Sequence, residues 1–138
     1  DVVSSVPDFP IYGNGDITSA HEAAERMRQS GCAGIMVGRG AMKNPWLIRE
    51  IAALLQGQPP PAKPSIPEVL SFTLRHLERT EQLYGKEKAA VLFRKWLPLY
   101  VRPHLHMSRT DMVRLMALKD RHALAQQLTA LSGVRAAT

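Results

Sequence analysis

The feature that most restricts this chain is a plan stated twice within its first 57 residues: a short apolar run, a glycine loop, then an amphipathic helix. Pro10-Ile11-Tyr12 is closed by Gly13-Asn14-Gly15-Asp16, the pattern of a buried strand entering a tight loop. Ser19 and Glu22 have the spacing of a capping box, in which each side chain satisfies a backbone N–H at a helix start. Ala23, Ala24 and Met27 supply the apolar stripe, and Gly31 suits the residue that stops the helix. The second unit has Gly34-Ile35-Met36-Val37 as its strand and Gly38-Arg39-Gly40-Ala41 as its loop. Asn44 and Pro45 then give a cap and a proline at the first helical position, leading through Trp46-Leu47-Ile48 to Leu55, with Gly57 beyond. Repeated βα units imply a parallel sheet. Two such strands bury neither both faces nor both edges, so this half requires neighbours that it does not contain.

Residues 58–64 form a linker, since their prolines supply no backbone donors and favour extended geometry. Residues 65–138 read as all-helical. Ser65 and Glu68 make a second capping box, after which Ile66, Val69, Leu70, Leu74 and Leu77 recur at helical spacing until Tyr84-Gly85. A second helix runs from about Glu87 with Leu92, Phe93, Trp96 and Leu97 inward, and Pro98 should kink or end it. Ser108 and Asp111 frame a third, with Met112, Leu115 and Met116 as its stripe. Asp120 caps a fourth, with Leu124, Leu128 and Leu131 inside. The fold expected is α/β followed by a four-helix bundle.

Apolar residues make up 45% of the 138 and charged residues 22%, a balance that supports a packed core and excludes a disordered tail. The longest apolar runs are a handful of residues, such as Ala52 to Leu55, far short of the roughly 20 that cross a bilayer. The amino end has neither an initiator Met nor a signal peptide and reads as a cut end. A lone cysteine, Cys32, points to no oxidising compartment, so the cytoplasm is the expected location. Charge is unevenly placed. Residues 1–62 carry a net charge of −1, whereas residues 63–138 carry +7. That asymmetry fits a polyanion partner for the second half, and equally a helical domain that happens to be basic.

The glycines at 13, 15, 38 and 40 let the backbone approach an anion closely, and a helix start adds partial positive charge. Arg39 adds a fork of donors suited to phosphate. Loop by loop these are also ordinary turn glycines and a surface arginine. Cys32 lies between a helix and the next strand, away from these loops, as a small buried residue. His104 and His106 lack acidic partners for a metal, and His21, His76 and His122 read as helix-surface residues. The pattern contains no nucleophile triad, paired-carboxylate motif or dinucleotide fingerprint, so no catalytic residue and no metal ligand is assigned.

Taken together, Pro10-Ile11-Tyr12-Gly13-Asn14-Gly15-Asp16-Ile17, Gly31-Cys32-Ala33-Gly34-Ile35-Met36-Val37-Gly38-Arg39-Gly40-Ala41 and Asn44-Pro45-Trp46 closely resemble the tRNA-dihydrouridine synthases. The resemblance implies that residues 1–57 are the last two βα units of a (β/α)8 TIM barrel and that residues 65–138 are a helical tRNA-binding domain. It also implies that Asn14, Gly15, Asp16, Gly38 and Arg39 bind the FMN phosphate. A carboxylate repels phosphate, so Asp16 is expected to cap its own loop instead of touching the anion. The stretch from Tyr84-Gly85 to Phe93-Arg94-Lys95-Trp96-Leu97 resembles the family's signature helix. Arg94, Lys95 and Arg102 are the RNA-contacting candidates, a basic strip two helical turns long opposite Phe93 and Trp96.

By the same resemblance NADPH reduces FMN, the flavin delivers hydride to a uridine of tRNA, and a cysteine in the earlier barrel supplies the proton. That cysteine lies in a barrel segment that these residues do not include, so this piece alone is expected to be inactive. Two other readings stay open at this stage. One is a different FMN-dependent barrel oxidoreductase whose tail serves oligomerisation, which predicts an exposed apolar strip on the tail. The other is a stand-alone helical nucleic-acid-binding module with a degenerate first half.

Overall fold

The computed structural model describes residues 2–5 and 8–135, which fall into two compact units, Asp1–Lys63 and Pro64–Thr138. The first unit contains α1 (Val2–Ser5), β1 (Tyr12–Asn14), α2 (Ala20–Ser30), β2 (Gly34–Met36), α3 (Arg39–Lys43) and α4 (Leu47–Leu55). β1 and β2 pair in parallel, with Tyr12 opposite Gly34, Gly13 opposite Ile35 and Asn14 opposite Met36. A parallel pair needs a crossover, and α2 supplies it. The paired residues begin at Tyr12, just after the Ile11 carbonyl accepts from the Ala33 N–H (2.8 Å). Asn14 is the last strand residue and not part of the loop.

Helix α2 begins and ends as its sequence dictates. The Ser19 hydroxyl accepts from the Glu22 N–H (3.2 Å), but the Glu22 carboxylate reaches past the cap to the N–H of Thr18 (2.9 Å). Gly31 takes a left-handed φ of 66° and donates its N–H to the Met27 carbonyl, a conformation that glycine adopts without a Cβ clash. Ile17, Ala23, Leu47 and Ile51 form the core of this unit, with Ile35 and Val37 packed on it. The other face of the sheet leaves Tyr12 61% and Met36 54% exposed.

Two local expectations are corrected here. Of Gly38-Arg39-Gly40-Ala41, expected as a loop, only Gly38 lies outside the short helix α3, which is closed by Asn44 N–H donating to the Gly40 carbonyl (2.8 Å). Arg39, Ala41, Met42 and Lys43 are good helix formers and outweigh one internal glycine. Asn44 does not cap a helix starting at Pro45. Its Oδ1 accepts from the Trp46 N–H (3.1 Å), and α4 begins only at Leu47.

The second unit contains α5 (Ile66–Tyr84), α6 (Lys86–Phe93), α7 (Leu97–Val101), α8 (Arg109–Ala117) and α9 (Arg121–Arg135). The Ser65–Glu68 capping box is complete, with Ser65 N–H donating to Glu68 (2.7 Å) and Glu68 N–H to the Ser65 hydroxyl (3.4 Å). The helix expected after Glu87 divides into α6 and α7, so five segments occur among the described residues where four were expected. Pro98 cannot donate to the carbonyl of Arg94, and the chain turns over residues 94–96. On α6 the inward positions are Ala89 and Phe93, while Leu92 is 41% exposed. One residue of helical phase, about 100°, separates Leu92 from the buried side. Ser108 and Asp120 cap α8 and α9, and Arg121 binds Glu78 (3.1 Å) and Glu81 (3.3 Å) on α5. Leu124 and Leu128 are buried, whereas the side chain of Leu131 lies outside the described residues.

His76 is not the surface residue that its helix position implied. Its ring lies 5.3 Å from those of Phe93 and Trp96, and its Nδ1 is 3.0 Å from the Tyr100 hydroxyl. Burial lowers the His76 pKa below its ordinary value and pushes the Tyr100 phenol up to about 12. The neutral imidazole is the folded form, so the unfolded chain takes up the proton first as pH falls. This contribution to stability is complete above about pH 6.5, the ordinary histidine value, and is lost as pH falls through the lower folded value. The thermal midpoint should drop as pH falls below about 6.5, and His76→Gln should flatten that segment of the profile in a calorimetric pH series.

Candidate functional site

The site is built where the two strands end. After Asn14, residues 15–18 turn back over the sheet, held by the Ile17 N–H donating to the Gly15 carbonyl (2.9 Å). Ile17 is 2% exposed and pins the loop to the core. Glu22 binds both the N–H and the hydroxyl of Thr18 (2.9 and 3.1 Å) and forms an ion pair with Arg26 (3.0 Å). The Thr18 N–H and the Arg26 guanidinium together hold the Glu22 carboxyl below its ordinary pKa.

From β2 the chain passes through Val37 into Gly38 and α3. A Cβ at Gly40 would stand 2.0 Å from the Ile17 carbonyl oxygen and 3.0 Å from Leu47 Cδ2. Only glycine allows this approach, and the approach brings α3 against the first loop. Asn14, Gly15, Asp16, Gly38 and Arg39 consequently line one concavity of about 480 Å³. A neighbouring hollow of about 280 Å³ shares Gly15, Asp16 and Arg39 and adds Thr18 and Lys43. All five residues expected at a phosphate are thus brought together.

Asp16 does not cap its own loop. Its carboxylate accepts from Arg39 Nη2, across 23 residues of sequence. The local donors are already engaged, the Ile17 N–H by Gly15 and the Thr18 N–H by Glu22, which leaves the carboxylate to the guanidinium. Two cations near the site escaped sequence reasoning. Lys43 lies four residues after Arg39, a same-face spacing that becomes visible only once α3 is seen to be helical. Arg26 Nη1 would stand 3.2 Å from a Cβ at Gly15. Backbone N–H groups beside glycines, together with a guanidinium, at the carboxyl ends of parallel strands can hold a small oxyanion such as a phosphate monoester.

Cys32 is half-buried, not fully buried, and precedes the amino end of β2, at the opposite end of the strand from Gly38. A Cβ at Gly13 would stand 3.2 Å from its Sγ, and Cys32 lines a second hollow with Gly13 and Ile35.

The three basic candidates of the second unit do not share one uninterrupted helix. Arg94 lies in the turn before Pro98, half-buried, and its Nε is buried with no hydrogen-bond partner. It lines a small cavity with Glu81, Phe93 and Arg121. Lys95 is exposed, with its ammonium 5.2 Å from the centroid of the Trp96 ring, so Trp96 is its neighbour and not its opposite. Arg102 is exposed just beyond α7. Among the described residues no helix is long and apolar enough to cross a membrane.

A parallel βα pair that brings the glycines of both strand ends and the exposed guanidinium of Arg39 to one concavity is an α/β unit with a candidate anion site. Comparison with known proteins gives the family: the model "Dihydrouridine synthase (Dus)" matches residues 1–131, and the chain belongs to that family. A probable tRNA-dihydrouridine synthase of Rhodobacter capsulatus is 38% identical over 112 residues, which cover 81% of this chain and 35% of the relative. One from Rickettsia typhi is 41% identical over 100 residues, covering 72% of this chain and 30% of the relative. The tRNA-dihydrouridine synthase B of Pasteurella multocida is 37% identical over 93 residues, covering 67% and 28%. The chain spans about a third or less of the length of these relatives.

The steric contrast between two glycines tests how the site is built. Gly40→Ala should cost about 1–3 kcal/mol or more, because the obstacle is backbone. A Cβ at Gly38 meets nothing within 4 Å, so Gly38→Ala should lower the thermal midpoint less than Gly40→Ala. Thermal unfolding of the two variants checks both.

Proposed function

We propose that this chain is the carboxy-terminal part of a flavin-dependent tRNA-dihydrouridine synthase. On this reading the first unit is the last two βα units of a (β/α)8 barrel, residues 58–64 are a linker, and residues 65–138 are the tRNA-binding helical domain. The observation that carries the reading is the meeting of Asn14, Gly15, Asp16, Gly38 and Arg39 at one concavity. The donor set and the concave shape fit the phosphate end of FMN, with Arg39 and the N–H groups around Gly15 and Gly38 as its holders.

When bound and reduced by NADPH, the flavin supplies the hydride that converts uridine to 5,6-dihydrouridine. The role of this chain's residues is to hold and orient. A doubly charged phosphate is anchored by Arg39, while Ile17 and Gly40 fix the two loops around it. Such an anchor sets the position of the attached ring without taking part in its chemistry. The proton donor belongs to the part of the barrel that precedes these residues in the family, and the protein works in the cytoplasm, where tRNA is modified.

The second unit, net positive, supplies the phosphate contacts to tRNA. The exposed Lys95 and Arg102 are the stronger candidates, and the half-buried Arg94 shapes the fold around the Pro98 break. A second reading of this unit rests on Leu83, Tyr84, Val91 and Leu92, which are 41–76% exposed near the junction of α5 and α6. Apolar side chains so exposed also suit self-association.

Arg39→Ala should weaken FMN binding and leave riboflavin binding unchanged, as read by flavin fluorescence quenching. Lys95→Ala and Arg102→Ala should each weaken tRNA binding and lower the slope of log affinity against log salt by about one. Unchanged slopes together with a mass that rises with protein concentration would favour the assembly reading.

A further inference from the structure

We infer that Asp16 is a positioning residue for Arg39: its carboxylate sets the guanidinium between the two glycine loops before the anion arrives. This rests on the phosphate reading of the site and goes beyond it. Asp16 and Arg39 come from separate βα units, yet Arg39 Nη2 donates to Asp16 Oδ1. Both side chains are more than 70% exposed, so the pair is screened by solvent and adds little to stability. Its consequence is directional. A guanidinium has five N–H donors in one plane, and one of them on Asp16 leaves the remainder of the fork free for phosphate oxygens. Without that tether an exposed arginine samples many rotamers, which an incoming anion would have to restrict.

The carboxylate is also a negative charge beside the proposed anion, which makes the sign of its removal decisive. If Asp16 acted only through charge, neutralising it would tighten binding. If it acts by orienting Arg39, neutralising it weakens binding, and only while Arg39 is present. The Ile17 and Thr18 N–H groups are bound elsewhere, so a role for Asp16 in holding its own loop does not compete with this explanation.

The test is titration of the chain with inorganic phosphate, followed by ¹H–¹⁵N NMR at the Gly15 and Gly38 amides and the Arg39 Nε–H. Before any phosphate is added, the Arg39 Nε–H should be resolved away from those of exposed arginines; an averaged, random-coil-like signal overturns the proposal without any variant. Saturable shifts are then expected in the native chain. Binding should be weakened well over tenfold, yet stay measurable at high phosphate, in Arg39→Ala, and weakened about three- to tenfold in Asp16→Asn, with Asp16→Glu recovering part of the loss. Added to Arg39→Ala, Asp16→Asn should have no further effect, as the double-mutant cycle requires for a residue acting through another. Phosphate binding that Arg39→Ala weakens but Asp16→Asn preserves or tightens overturns the positioning role and leaves the phosphate site standing, as does a further loss when Asp16→Asn is added to Arg39→Ala. No saturable shift in the native chain overturns the site itself, and the positioning role with it.

Discussion

Everything at the candidate site depends on the parallel, in-register pairing of β1 and β2. Because Tyr12 faces Gly34 and Asn14 faces Met36, the two strands finish level with each other and release their chains at the same end. An antiparallel pair would send one loop to the far end and leave nothing for the other to meet. The crossover helix α2 makes the parallel arrangement possible, and its capping by Ser19 and stop at Gly31 set how soon the second strand can begin. Local backbone chemistry in a crossover of 11 helical residues thereby decides whether a concave site exists.

Much of this was legible in the residues themselves. Alternating strand-sized runs and capped helices gave the two βα units, and the glycines of both loops marked the place where the chain approaches itself. A serine three residues before a carboxylate located the starts of α2, α5 and α8, because its hydroxyl caps the helix in all three; only Ser65 and Glu68 close the reciprocal box. What escaped the reading has two physical causes. The partial burial of His76 and the partner of Asp16 are set by residues distant in sequence, whereas α3 and the exposure of Leu92 turn on short helices whose phase few residues define. A five-residue helix carries too little periodicity to announce itself. Asp16 met Arg39 only because its nearby donors were taken.

The helical unit shows how a single imino acid changes what a charge pattern means. On a continuous helix, Arg94 and Arg102 would fall two turns apart. Pro98 releases the carbonyl of Arg94, the chain turns, and Arg94 lines a small cavity with Glu81 and Phe93 while Lys95 stays outside against Trp96. Spacing arguments for basic strips hold only as far as the hydrogen-bond ladder runs unbroken.

The contact between Gly40 and Ile17 has a consequence for how such a chain can diverge. The atom that leaves no room for a side chain at position 40 is a carbonyl oxygen, common to every amino acid that could occupy position 17. No replacement there can relieve the clash, so compensation between the two positions is closed off. Position 40 is therefore held to glycine by main chain alone, a demand that no choice of surrounding side chains can soften.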